Sequence, residues 1–241
     1  MIKVFIFAFN RPDILQLQIN SIKKYLIGNF SIEVVYDYRD DVHGNEFEKI
    51  CLDNKIVLHR HQSYPGKSAS QYHADTLMWV YDNLIHNDDI VIFLDHDIFL
   101  LDEFDVKKYL NDCDISACLQ SRGHVEYTWP GLLLFKYSSI KDINFNFDPT
   151  YVEGQSLDSG GGTYSILRNE KIKFLPIEIE YPDTYKEIDL LNPIHNNGFG
   201  FELFMDGKFL HFRNACSWHM DMNVNDHKKT EILNLILKDF I

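Results

Sequence analysis

Cysteine is scarce in this chain of 241 residues. The four present (Cys51, Cys113, Cys118 and Cys216) form no close Cys-x-x-Cys pair and stand mostly in apolar surroundings. Such spacing argues against a zinc site or a disulfide framework and fits reduced thiols. Long apolar runs are missing as well, and no stretch reaches the ~20 residues that a bilayer-spanning helix needs. The start, Met1-Ile2-Lys3-Val4, opens on a strand pattern and lacks the basic region, apolar core and cleavage site of a signal peptide. A cytoplasmic location is therefore expected. Basic residues are outnumbered, 23 Lys and Arg against 36 Asp and Glu, for a formal net charge of −13 at pH 7. A nucleic-acid binder needs the opposite footprint. An acidic chain still reaches a diphosphate where a metal ion mediates the contact. Repeats, low-complexity tracts and linkers are absent too, so residues 1–241 read as one domain, with a nucleotide-binding half (1–100) and a second half (101–241) that shapes the other substrate.

What is present in quantity is aromatic and β-branched residues, with 18 Phe and 13 Tyr. They gather most tellingly in Ile90-Val91-Ile92-Phe93-Leu94-Asp95-His96-Asp97, an apolar run that stops at two carboxylates. A run without alternation predicts a strand buried on both faces, as in a parallel sheet. Ligands of open α/β sheets bind beyond the carboxyl ends of the strands, where Asp95 and Asp97 fall. Two carboxylates there call for a positive partner, and a divalent cation supplies it. The plainer alternative is a solvated acidic turn.

Around this strand the first half alternates. Val4 to Phe9 predicts a strand, followed by Asn10-Arg11-Pro12, where Asn10 or Asp13 suits a helix cap and Pro12 a first turn. Leu15, Ile19, Ile22 and Leu26 recur at helical spacing up to Gly28. Strands are predicted at Ile32–Tyr36, ending on Asp37, and at Lys55–Leu58, with a helix from about Ser68 carrying Leu77, Val80, Tyr81, Leu84 and Ile85. This order predicts a mostly parallel sheet flanked by helices. In the second half, strands are predicted at Asp114–Leu119, after a turn at Trp129-Pro130-Gly131, at Lys171–Ile179 and at Lys208–Phe212. A glycine loop, Asp158-Ser159-Gly160-Gly161-Gly162, precedes a short helix at Tyr164–Arg168; Asn192–Gly200 is loop-like and Lys229–Phe240 helical.

A D-x-D after an apolar strand also occurs in haloacid dehalogenase-like phosphatases. There it belongs on the first strand with a small residue two positions on, where this chain has Phe99. With Phe5-Ile6-Phe7-Ala8-Phe9-Asn10-Arg11-Pro12, Asp37, Pro65-Gly66-Lys67-Ser68-Ala69, Asp95-His96-Asp97 and His211-Phe212, the chain instead resembles the GT-A glycosyltransferases. The resemblance implies an α/β, Rossmann-like GT-A fold with a smaller mixed acceptor-side region. It implies a metal-dependent transfer of sugar from a nucleoside-diphosphate sugar to a hydroxyl, on a glycan or another acceptor. Asp95 and Asp97 would hold the ion, and His211 would complete its shell; His219 is the other candidate. An imidazole beside carboxylates favours Mn²⁺ over Mg²⁺.

Phe9, Asn10, Arg11, Asp37, Lys67 and His96 would meet the donor; the plain structural alternatives are core packing for Phe9, a helix cap for Asp37 and a solvated lysine for Lys67. His73, on the apolar face of its helix, reads as a packed or hydrogen-bonded histidine. Asp158 is the candidate base on the acceptor hydroxyl, with a helix cap as its alternative, and Glu202 is the rival base. Trp129 offers an aromatic face to an acceptor sugar, or simply fills the core. A sugar-phosphate nucleotidyltransferase would carry a glycine-rich loop after the first strand, and Phe9-Asn10-Arg11-Pro12 has none. A metal-dependent phosphohydrolase and a non-catalytic nucleotide-sugar-binding module are the remaining alternatives.

Overall fold

A computed structural model describes residues 1–38, 42–63, 65–86, 89–180 and 200–213, and positions 231, 233–234 and 237–238 near the end. The first half alternates strand and helix: β1 (Ile2–Ala8), α1 (Pro12–Tyr25), β2 (Phe30–Asp37), α2 (Gly44–Asn54), β3 (Val57–His61), α3 (Ala69–Asn83) and β4 (Ile90–Asp95). The second half is mostly strand. It runs through β5 (Ile98–Leu100), the short α4 (Val106–Tyr109), β6 (Ile115–Arg122), β7 (Val125–Lys136), the short α5 (Tyr137–Ile140), β8 (Thr150–Val152) and β9 (Gln155–Leu157). A 3-10 turn (Gly161–Ser165), β10 (Phe174–Ile177), β11 (Ile179–Glu180), β12 (Gly200–Phe204) and β13 (Phe209–Arg213) follow.

Seven strands form the main sheet in the order β10-β6-β7-β4-β1-β2-β3. Only β7 runs against its neighbours, so the mostly parallel sheet read from the sequence is the one observed. Alternation explains the unbroken apolar runs. Val4 and Ile6 of β1 and Ile92 and Leu94 of β4 face α1 and α2 through Leu15, Ile19, Ile22, Phe47 and Cys51. Phe5 and Phe7, Val91 and Phe93 face α3 through Ala74, Leu77 and Val80. On that second face the phenylalanines meet edge to face, with ring centroids of Phe5, Phe7 and Phe135 lying 5.9, 5.0 and 5.3 Å from Phe93. Covered on both sides, each such side chain contributes about 1.5–3 kcal/mol.

The structure departs from the sequence reading where local signals are weak. Helix α2 is not part of the sequence reading; its apolar side is short, Phe47, Ile50 and Cys51, and stands among charged and polar residues. Strand β3 begins later than Lys55, which instead takes a left-handed conformation (φ 58°) and ends α2. The cap of α1 falls on Arg11 rather than on Asn10 or Asp13, with Pro12 in its first turn. Helix α3 starts as predicted: the Ser68 hydroxyl accepts from the Gln71 amide, and the Gln71 side chain accepts from the Ser68 amide.

Trp129-Pro130-Gly131 is not a turn. It lies inside β7 at a bulge, where pairing with β6 jumps from Ala117–Leu133 to Cys118–Trp129. The glycine loop leads into the 3-10 turn rather than a helix at Tyr164–Arg168. The strand predicted over Lys171–Ile179 is confined to β10 and the first residue of β11. Asn192–Phe199 and most of Lys229–Phe240 lie outside the described residues; Leu233 and Leu237, from the latter, are helical and buried.

Strands β11, β12, β13 and β5 form a second, antiparallel sheet in the order β11-β12-β13-β5. Only His96 and Asp97 separate β4, in the large sheet, from β5, in the small one.

Candidate active site

Because β1 to β4 are parallel, their carboxyl ends share one edge of the large sheet, bringing together Phe9, Asp37, His61 and Asp95. The reversed strand β7 delivers its bulge to the same edge, since Leu132 stands opposite Leu94. The Asp95-His96-Asp97 turn sits there, at the junction of the two sheets.

Helix α1 holds that turn from below. The buried Gln18 amide donates to the carbonyls of Asp95 (2.8 Å) and Ile98 (2.7 Å), and the buried Ser21 hydroxyl accepts from the Leu100 amide (3.1 Å). Both polar residues lie on the stripe of Leu15, Ile19 and Ile22, and a glutamine on a buried stripe is the signal that could have exposed this clamp. Each aspartate is then met by a histidine. His73 of α3 approaches Asp95, Nε2 to Oδ1 3.0 Å, as the parity of β4 dictates, since Asp95 follows Phe93 on the α3 face. Burial works against both charges, but the pairing wins: the Asp95 carboxyl is held below its ordinary value and the His73 imidazole above its own.

Asp97 meets His211. Strand β13 pairs with β5 so that His211 lies opposite Ile98, and the Phe212 amide donates to the Asp97 carbonyl (2.9 Å). The imidazole Nε2 stands 3.7 Å from Asp97 Oδ1, and its Nδ1 is 2.8 Å from Oε2 of Glu202, its cross-strand partner on β12. Burial pulls this imidazole's pKa down, yet the Glu202 hydrogen bond and the charges of Asp97, Glu202 and Asp95 leave it above the ordinary histidine value. The ring packs in an aromatic corner, with Phe204 stacked at 5.8 Å between centroids, Trp129 tilted at 4.9 Å, and those two rings 5.9 Å from each other. Trp129 takes that position only because residue 131 is glycine: a Cβ there would come within 2.2 Å of the indole. Glu202, read as a rival base, is thus committed to His211, and Trp129, read as an acceptor platform, is a wall of the His211 site. His219 lies outside the described residues.

The remaining donor-side residues are placed as follows. Phe9 is buried at the end of β1 and Asp37 is buried at the end of β2, with Asn10 part-buried beside Phe9. Arg11 is buried, and its Nε and Nη2 clasp the two Asp13 oxygens at 2.8 Å each, so its fork is engaged within α1's first turn. Lys67 is ion-paired with Asp75 of α3. His96 departs from expectation. It turns into the core, with Nδ1 3.0 Å from the Phe7 carbonyl, and burial pushes its pKa down to about 4, so it is a neutral peg under the turn.

Asp158 lies beyond the β7 bulge, where its carboxylate accepts from the Tyr127 hydroxyl (2.9 Å) and from Arg122 (3.1 Å). Its side chain caps nothing; the 3-10 turn begins at Gly160, whose φ of 93° and close approach to the Thr128 carbonyl exclude a side chain.

No three His, Cys, Asp or Glu side chains among the described residues enclose an ion as they stand. The donor set nevertheless fits one. Two ligands held about 2.1 Å from a common ion stand roughly 3–4 Å apart over the usual ligand angles. The 3.7 Å between Asp97 and His211 lies in that range, and both side chains are buried (8% exposed each). The second aspartate, Asp95, stands two positions before Asp97, and hard oxygens with one imidazole suit a divalent cation.

No protein-family model matches this sequence, and no curated protein does. Solved structures do match. The mannosyltransferase PcManGT from Pyrobaculum calidifontis, in complex with GDP-Man and Mn²⁺, aligns with 73% of this chain and 54% of its own at 14% identity and a TM-score of 0.52. The chain therefore spans about half the length of that enzyme. Mouse xyloside xylosyltransferase 1 aligns at 9% identity over 73% of this chain and 85% of its own, with a TM-score of 0.47. Staphylococcus aureus TarS 1-349 aligns at 15% identity over 72% and 57%, with a TM-score of 0.45. With a seven-stranded mixed sheet matched to the first of these, the chain has the GT-A fold.

Proposed function

We propose that this protein is a metal-dependent glycosyltransferase that moves a sugar from a nucleoside-diphosphate sugar to an acceptor hydroxyl, with residues 1–241 acting as one catalytic domain. The observation that carries the reading is the meeting of Asp97 with His211, from distant segments, at the ligand-binding edge of a GT-A sheet. The mannosyltransferase of similar fold, solved with GDP-Man and Mn²⁺, supports the donor class and the ion. Asp97 and His211, with Asp95 beside them, would hold the ion, and the imidazole favours Mn²⁺ over Mg²⁺. Such an ion neutralises the charge that develops on a leaving diphosphate.

This chain's residues supply the rest. Gln18 and Ser21 fix the turn, and His73 orients Asp95. Asp37 lies at the strand edge where a nucleoside would meet β2, and Phe9, Asn10 and Arg11 line the end of β1. Asp158, held by Tyr127 and Arg122, would take the proton of an acceptor hydroxyl from a glycan or similar molecule.

A thermal-shift titration with nucleoside diphosphates and their sugars, with and without Mn²⁺, tests this. A native-state ligand at 100 times its Kd stabilises by about 2.7 kcal/mol, which raises Tm by roughly 5–10 °C for a chain of this size. The expected result is a shift for one nucleotide that requires Mn²⁺ and vanishes in Asp97→Ala. Absence of any shift across the series, or one unchanged in Asp97→Ala, overturns the reading. Asp158→Asn should keep the shift and lose sugar transfer; transfer at the wild-type rate removes Asp158 from the base role.

A further inference from the structure

We infer that Glu202 is a positioning residue for the ion: it fixes the ring and tautomer of His211 so that Nε2 presents its lone pair beside Asp97. The inference rests on the proposed metal site and assigns Glu202 a role other than acceptor base. Three observations carry it. Glu202 and His211 are directly opposed across the β12–β13 pair, so the carboxylate reaches the ring without a long or flexible span. Oε2 lies 2.8 Å from Nδ1, while the other ring nitrogen faces Asp97. Phe204 and Trp129 pack against the ring and against each other, which holds the imidazole in this orientation.

A carboxylate has no proton to donate at neutral pH, so in this contact Nδ1 carries the hydrogen. A ring that keeps its hydrogen on Nδ1 offers a cation only Nε2, the nitrogen turned to Asp97. Carboxylate–histidine pairs of this kind hold a ligating imidazole in one orientation and raise its basicity. Burial is why Glu202 is the poorer candidate for an acceptor base: its side chain is 12% exposed, against 35% for Asp158.

The test is Mn²⁺ affinity of the free protein, read from the free-ion signal in electron paramagnetic resonance, with no donor and no turnover. Loss of the supporting carboxylate in Glu202→Ala should weaken Mn²⁺ binding about 10–100-fold. Glu202→Gln keeps the reach and an acceptor oxygen and should stay within a few-fold of wild type. Glu202→Asp keeps the charge but draws it back by one methylene, and should resemble Ala. Mn²⁺ affinity unchanged in Ala or Asp overturns the inference, as does a Gln variant as weak as Ala. If Ala fails to fold, Asp and Gln alone still decide, since distance and charge predict opposite orders for them. His211→Ala separates the two levels: if it binds Mn²⁺ as tightly as wild type, the metal-site reading fails, whereas loss there with no loss in the Glu202 variants leaves that reading standing and removes only the role of Glu202.

Discussion

Single residues at this site matter through what they exclude as much as through what they bind. Gly131 is the clearest case, because its missing Cβ is the space that Trp129 fills against His211. Gly131→Ala should displace the indole, cost about 1–3 kcal/mol by overpacking, and loosen Mn²⁺ binding; a melting curve and a red shift in tryptophan emission would register it. An unshifted spectrum and Tm would show that the indole yields freely. Away from the site, Glu33 of β2 accepts from His59 at 2.7 Å and lies 3.6 Å from Lys3. The His59 hydrogen bond, opposed by burial and helped by Lys3, holds its carboxyl below the ordinary value of 4.5. A depressed carboxyl stabilises the fold fully above its unfolded pKa and loses that contribution as pH falls through its folded pKa. Glu33→Gln should therefore be less stable than wild type by about 1–2 kcal/mol at pH 7. The gap should close in denaturant titrations as pH drops below 4.5. A gap that widens in acid would reverse the assignment.

At the scale of elements, the site depends on α1 more than on any loop. Its face toward the sheet carries Leu15, Ile19 and Ile22 for packing and Gln18 and Ser21 for hydrogen bonding, so one helix both covers β1 and β4 and pins the Asp95–Ile98 turn. Gln18→Ala would leave two carbonyls unpaired in the interior and should cost about 2–4 kcal/mol. It should also weaken Mn²⁺ binding, because the turn that carries Asp97 loses its anchor; wild-type affinity in a destabilised variant would show that β13 alone holds the turn. The apolar positions of α1 were legible as a periodic stripe. The purpose of Gln18 was not, since its acceptors are carbonyls some eighty residues on, which only the packing of α1 beneath β4 and β5 selects. The bulge at Trp129-Pro130-Gly131 is similar: Pro and Gly announce an irregularity, but whether it is a turn or an interrupted strand depends on pairing with β4 and β6.

The described residues build a large sheet covered on both faces, joined through the Asp95–Asp97 turn to a small antiparallel sheet, with β8 and β9 paired apart from both. Stability should follow that plan. Amides of β1 and β4, paired on both sides and buried on both faces, should exchange with solvent only through global unfolding, while those of the edge strands β3 and β10 exchange sooner. Hydrogen exchange by mass spectrometry would show this gradient, and equal protection across the sheet would contradict it. The buried strand Ile90–Leu94 with its terminal carboxylates, the parallel first half and the start of a helix near Ser68 were written in the sequence. Each is a local pattern, set by side-chain periodicity or by residues a few positions apart. The resemblance implied that His211 joins the two aspartates; tertiary structure alone decided that Glu202 faces His211, that His73 takes Asp95, and that Arg11 and His96 are engaged within the fold. Those pairings depend on strand register and helix packing between distant segments. Periodicity says which face of an element is buried, but only the assembled sheets determine what that face meets.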